Sequence, residues 1–342
     1  MGRLSLRRMG WRPHALLALA LRNLVAENRR HSRRMSTARV TIGIPCFNAA
    51  RWIAASVESA LAQTWPEKEV IVVDDGSTDG SRGILEKFGA AIRLVRTDHR
   101  GGNHARNEAL RQATGEWLQF LDADDYLEPE KLARQFAEAD GGAAADVIYS
   151  PTWIEDVRAG HREPSAIDTS RDLFVQWITW QLPQTGGCLW RRSALDTLGG
   201  WKEDQPCCQE HELYLRALQT GQRFVFAATP HAVYRLWSEE TVCRRDPRMV
   251  IRLRTALIDA LQSWMQERGL WRDEHRQAAG RACFEMSRTL AKTDLRTAAA
   301  YHRDRAEHGL IHVSGPSAPP AYRIARRLVG FTGAEKLAAM RR

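Results

Sequence analysis

The sequence predicts an α/β fold with a mainly parallel sheet flanked by helices, and three observations carry that prediction. Short β-branched runs alternate with helix-length segments over residues 40–121, each run ends in a polar or glycine-rich cluster, and the rhythm repeats four times. With 342 residues, 44% hydrophobic and 27% charged, the chain has material for about two domains and is neither wholly disordered nor fibrous.

The elements follow in order. Val40-Thr-Ile-Gly-Ile44 is β-branched and stops at Pro45, and Glu69-Val-Ile-Val-Val73 runs into an acidic turn. Ile92-Arg-Leu-Val95 and Trp117-Leu-Gln-Phe-Leu121 are the third and fourth strands, and the spacing predicts helices over 49–63, 79–88 and 103–113. In such sheets the polar residues at the carboxyl ends of strands face the ligand crevice. Those ends hold Pro45-Cys-Phe-Asn48, Asp74-Asp-Gly-Ser-Thr-Asp79 and Asp122-Ala-Asp-Asp125. Each alone reads as well as a capped turn; in sequence at one sheet edge they describe one site.

The net charge of +9 invites a nucleic-acid partner, but its distribution argues against one. Residues 1–34 hold nine Arg and one Glu, and residues 320–342 hold six Lys or Arg and one Glu, so the body between is mildly acidic. The apolar run 15–21 is broken by Arg22, lacks a small-residue cleavage site and is too short to span a bilayer. Residues 1–36 are expected to be a basic extension, disordered or absent from a protein that starts at Met35. Six cysteines with no CxxC pair favour a reduced, cytoplasmic setting.

Over Val40 to about Trp237 the chain resembles the family 2 glycosyltransferases, inverting enzymes of the GT-A fold that use nucleotide-sugar donors. The resemblance rests on VTIGIPCFN, VIVVDDGSTDGS, RGGNHARNEAL at 100–110, WLQFLDADDYLEPEKL at 117–132 and QEHELYLRAL at 209–218. It implies a GT-A domain over 37–240; beyond it, apolar positions recurring at three and four predict a helical region over 241–313, and after a Gly- and Pro-rich break the residues read as a basic amphipathic helix over 321–342.

The resemblance also assigns roles. Phe47, where tyrosine is common, would pack on the base and Asp75 would hydrogen-bond it, an arrangement that favours a UDP or dTDP sugar over GDP. Pro45, Asn48, Arg106 and Asp122 complete the expected donor-binding set. Asp124, with Asp122 in support, would hold Mg²⁺ or Mn²⁺ against the leaving diphosphate, since hard oxygen ligands suit those ions. Arg106 and Asn107 follow Gly101-Gly102, where they either face the donor or, for Arg106, pair with the acidic sheet edge. Asp125 would cap the next helix, with Pro129 in its first turn.

An inverting transfer needs a base for the acceptor hydroxyl. The family places it where this chain has Glu210, preceded by Gln209 where relatives usually have Glu; His211 is the rival, and Glu212 is expected in a salt bridge. The acceptor, a glycan or lipid-linked hydroxyl, is expected near Gly187, Trp190 and His211, although Trp177, Trp180, Trp190 and Trp201 read more readily as core. His231, a candidate late metal ligand, reads more readily as a core or edge residue. The last helix could lie on an anionic membrane at the inner face of the cytoplasmic membrane, or dock on the protein.

Rival classes fit less well. A dinucleotide oxidoreductase wants GxGxxG after the first strand and a P-loop enzyme wants Gly-Lys-Ser/Thr, and neither is present. A phosphatase built on Asp122 leaves Asp75 and Glu210 unexplained, and a sugar nucleotidyltransferase lacks its Gly-rich, Arg-bearing loop. A degenerate nucleotide-sugar or glycan-binding module of the same fold is the remaining alternative.

Overall fold

The computed structural model describes residues 38–237 and 246–340, so the expected basic extension lies outside the described residues. The first half alternates strand and helix: β1 (Val40–Cys46), α1 (Ile53–Leu61), β2 (Lys68–Asp74), α2 (Ser81–Glu86), β3 (Arg93–Arg96), α3 (Gly102–Gln112) and β4 (Trp117–Phe120). Next come β5 (Tyr126–Leu127), α4 (Lys131–Glu138), β6 (Val147–Tyr149), β7 (Thr152–Asp156), β8 (His161–Pro164), α5 (Leu173–Ile178) and β9 (Cys188–Arg191). The second half continues with α6 (Arg192–Leu198), α7 (Gln209–Gln219), β10 (Phe224–Phe226) and β11 (Ala232–Leu236). Four helices follow: α8 (Pro247–Glu267), α9 (Asp273–Ala291), α10 (Leu295–Glu307) and α11 (Pro320–Ala339).

One seven-stranded sheet runs in the order β10-β6-β9-β4-β1-β2-β3. The four predicted strands are its parallel half, with Val40 opposite both Lys68 and Trp117. Only β9 runs against its neighbours β4 and β6. A second sheet, β5-β11-β7-β8, brings β11 beside β5, just after the DADD cluster.

Burial explains the apolar runs. In β2, Val70 and Val72 join a core with Ile53 and Val57 of α1 and Phe136 of α4, while Ile71 and Val73 join the core on the opposite face. Gly43 lets α3 lie close on β1: a Cβ there would sit 3.0 Å from that of Ala109. The second core runs on without a break into Ile258, Phe284, Ala298 and Phe331 of the C-terminal helices.

Two local expectations need correction. Asp125 caps no helix, because its carboxylate accepts the Arg235 N–H (2.8 Å), and α4 starts at Lys131, so Pro129 stands in the turn ahead of it. The last helix is not continuous: Gly330 (φ 68°, ψ −176°) breaks α11 into two arms.

Candidate active site

The carboxyl ends of β1, β2 and β4 border a cleft of about 530 Å³. Pro45, Phe47, Asn48, Asp75, Arg106, Asp122 and Asp124 all line it. Parallel pairing in register puts those strand ends side by side, which is why three clusters distant in sequence meet.

Asn48 turns the chain out of β1 with φ 49°, a conformation asparagine tolerates. Its Oδ1 accepts the N–H groups of Thr78 (2.8 Å) and Asp79 (3.3 Å), bracing the first loop on the second. Asp75 is buried. It accepts the Thr97 hydroxyl (2.6 Å) and the amides of Arg100 (2.9 Å) and Gly101 (2.7 Å). Burial alone would raise its pKa, but those donors and nearby His99 hold it below the usual carboxylate range. A carboxylate has about four acceptor positions, so one remains on Asp75 for a ligand. Phe47 is 42% exposed, with one face stacked on His99 (centroids 3.9 Å apart). His99 follows the end of β3, the one strand end not singled out in the sequence.

Arg106, on the second turn of α3, is buried and binds Asp122 through Nη2 (2.6 Å) and Asn103 through Nη1 (3.2 Å). The pairing with the acidic sheet edge is therefore realised, inside the cleft rather than away from it. Burial would lower its pKa, but Asp122, Glu210 and Asp124, in that order, raise it. Asn107 instead binds the Trp201 carbonyl (2.8 Å) and Glu203 (3.0 Å).

Asp124 accepts the Trp237 indole N–H (2.8 Å). Burial first, and Asp122 second, push its pKa up. Asp125, buried beside both, is pushed up further. Three carboxylates crowded in low dielectric, answered mainly by Arg106 and Arg235, suit a divalent cation, which would relieve the repulsion. Asp122 keeps its second oxygen without a partner among the described residues. Asp124 and Asp122 are the cleft carboxylates that could hold Mg²⁺ or Mn²⁺; among the described residues no third His, Cys, Asp or Glu closes a ligand set with them.

Glu210 stands in the first turn of α7, and its Oε1 accepts the Thr185 hydroxyl (2.5 Å). Glu212 pairs with Arg216 (2.7 Å), as expected. The acceptor expectations fare differently. Trp190 is buried in the core, stacked on Tyr214. Gly187 is buried where a Cβ would meet Pro183 at 2.5 Å, so it serves a close chain crossing rather than an approaching sugar. His211 is buried against Trp180 (centroids 3.4 Å), and burial, with Arg254, pushes its pKa well below the usual range. None of these three lines the cleft, and neither does Glu210. Trp177 and Trp201 are core as well, and His231 binds Glu128 (2.8 Å) just ahead of β11, an inner strand of the second sheet.

Four contributors escaped the sequence reading: His99, Thr185, Arg235 and Trp237. Arg235 arrives on β11 and Trp237 just past its end, over 100 residues downstream of the DADD cluster they serve.

Residues 41–199 match the family model described as glycosyl transferase family 2. Among curated relatives, the putative teichuronic acid biosynthesis glycosyltransferase TuaG of Bacillus subtilis is 42% identical over 100 residues, covering 28% of this chain and 40% of its own. The UDP-Glc:alpha-D-GlcNAc-diphosphoundecaprenol beta-1,3-glucosyltransferase WfgD of Escherichia coli is 39% identical over 100 residues, covering 29% of this chain and 40% of its own. An uncharacterized glycosyltransferase of Nostoc is 30% identical over 168 residues, 46% of this chain and 52% of that one. The chain thus spans about half or less of the length of these relatives. Among solved structures, S. aureus TarS 1–349 in complex with UDP-GlcNAc superposes with a TM-score of 0.61 at 19% identity, covering 88% of both chains. Fold, cleft and family model agree: residues 41–199 of this chain are a family 2 glycosyltransferase domain, set in a GT-A fold.

Proposed function

We propose that the chain is an inverting glycosyltransferase that moves a sugar from a nucleoside-diphosphate donor, UDP or dTDP sugar in preference, to a hydroxyl of a glycan or lipid-linked acceptor. The observation that carries this reading is one cleft that gathers the buried Arg106, its partner Asp122 (2.6 Å) and Asp124 beside Phe47 and Asp75, with the charge of Glu210 felt at Arg106 from outside the cleft lining. Relatives named for teichuronic acid and diphosphoundecaprenol-linked glycans support a role in making cell-surface polysaccharides.

The open acceptor position on Asp75 takes the base N–H, and Phe47 offers the ring face that His99 does not cover. Asp124 and Asp122 would hold a divalent cation, which when bound would neutralise charge on the leaving diphosphate. Thr185 donates to one Glu210 oxygen and fixes the carboxylate, leaving the other to take the acceptor's proton. As that hydroxyl oxygen bonds to the anomeric carbon, the carbon–oxygen bond to the diphosphate breaks on the opposite side. The configuration inverts, and the proton stays on Glu210.

Glu210→Gln keeps the shape and the Thr185 bond but cannot accept a proton. It should lower kcat about 10²- to 10⁴-fold with donor binding unchanged. Full transfer by this variant would remove Glu210 from the mechanism. Nucleotide binding without transfer in the wild type would favour the degenerate binding module.

A further inference from the structure

Among the described residues, eight large apolar side chains are exposed, and five of them lie in the two arms of α11 or at its C-cap: Ile324, Leu328, Val329, Leu337 and, at the cap, Met340. Leu328 is 78% exposed and Met340 84%. They are not left over from a helix that failed to dock. Tyr322 and Phe331 already pack on Phe284 and His302 of α9 and α10, at centroid distances of 5.8 and 4.1 Å. The arms therefore have an inner apolar face that is satisfied and an outer one that is not. Gly330 sets the arms apart, and between them runs a groove of about 480 Å³ that Ile324, Ala325, Leu337 and Ala338 line.

Charge selects the occupant. The one acid of the segment, Glu335, is buried and bound to Arg288 (2.6 Å), so the exposed charges of 320–340, Arg323, Arg327 and Lys336, are all cations. A second copy of the chain, docked face to face, would set these cations against their own counterparts. No helix among the described residues is long and apolar enough to cross a membrane. Exposed Leu, Ile, Val and Met interspersed with Arg and Lys along the two arms suit the headgroup boundary of a bilayer instead.

We propose that the two arms of α11 form a docking surface for an anionic lipid bilayer, with Leu328, Val329 and Met340 entering the boundary layer and Arg323, Arg327 and Lys336 held at the phosphates. This goes beyond the catalytic reading and stands or falls separately from it.

The test is flotation of the full chain with phosphatidylcholine vesicles, with and without about one third phosphatidylglycerol, at low and high salt. The expected result is binding to the anionic vesicles alone, weakened by salt. L328D/M340D, and separately R323Q/R327Q/K336Q, should each lower vesicle binding tenfold or more. Both substitute exposed residues and should melt and bind nucleotide as the wild type does. The proposal is overturned if the wild type does not float with anionic vesicles. It is equally overturned if both variants float as well as the wild type, which would move the contact elsewhere on the chain. A wild-type dimer that L328D/M340D dissolves, with no vesicle binding, would make the face a contact between copies and also end the proposal.

Discussion

Asp75 shows how one side chain can serve the fold and the ligand together. Its three donors come from the chain after β3, so it orders that loop as well as facing the cleft. Asp75→Asn loses the charge that shortens those bonds and should destabilise the protein by about 2 kcal/mol while weakening nucleotide binding, measurable by denaturant melts and calorimetry. Asp124 works in the opposite sense. Its raised pKa means the folded protein holds a proton there at a pH where the unfolded chain has lost it, so stability falls as pH rises through that window. Asp124→Asn should therefore raise the melting temperature of the metal-free protein near neutral pH, at the expense of cation-dependent nucleotide binding. At this scale the sequence was legible where a residue sits at the end of its own strand, as Asp75, Asp122 and Asp124 do. It was opaque where a partner arrives from afar: nothing near Asp124 in sequence announces Trp237, and nothing near Glu210 announces Thr185.

At the scale of elements, β4 and α4 enclose an unusual pair. Lys131 is fully buried on α4 and hydrogen-bonds Gln119 Oε1, while Gln119 Nε2 donates to Gly186 O (3.0 Å), next to the Thr185 that holds Glu210. Burial pushes the Lys131 pKa down to about 7. The sign follows from linkage. Between pH 7 and the lysine's usual range the unfolded chain binds the proton and the folded one does not, so stability rises with pH across that interval. Lys131→Met should flatten the rise, as a comparison of urea midpoints at several pH values between about 7 and 9 would measure. The parallel strands and helices of the first half were legible because their apolar runs are long, uninterrupted and bounded by turns. The short strands β5–β8 were not, since pieces of two to five residues are fixed by pairing rather than by pattern. Trp190, which reads more readily as core, and His211 are both buried, and an isolated aromatic looks alike in sequence whether it faces a sugar or a core.

On the scale of the whole molecule, the helices after residue 246 complete one of the two cores rather than forming a separate unit. Ile258, Phe284 and Phe331 belong to the same buried cluster as Ile71, Phe120 and Tyr214. A chain ending at residue 240 should lose cooperative unfolding in a thermal melt, because that cluster would be opened to water. The central claim is that the gathered carboxylates hold a nucleoside diphosphate through a cation. The most direct measurement is the melting temperature with UDP, dTDP, GDP and CDP, each with and without Mn²⁺, for the wild type and Asp124→Asn. The account predicts that UDP or dTDP stabilises the wild type most, that Mn²⁺ enlarges the shift, and that Asp124→Asn loses the Mn²⁺-dependent part. Absence of a shift with every nucleotide, or a shift indifferent to both Mn²⁺ and Asp124, would contradict it.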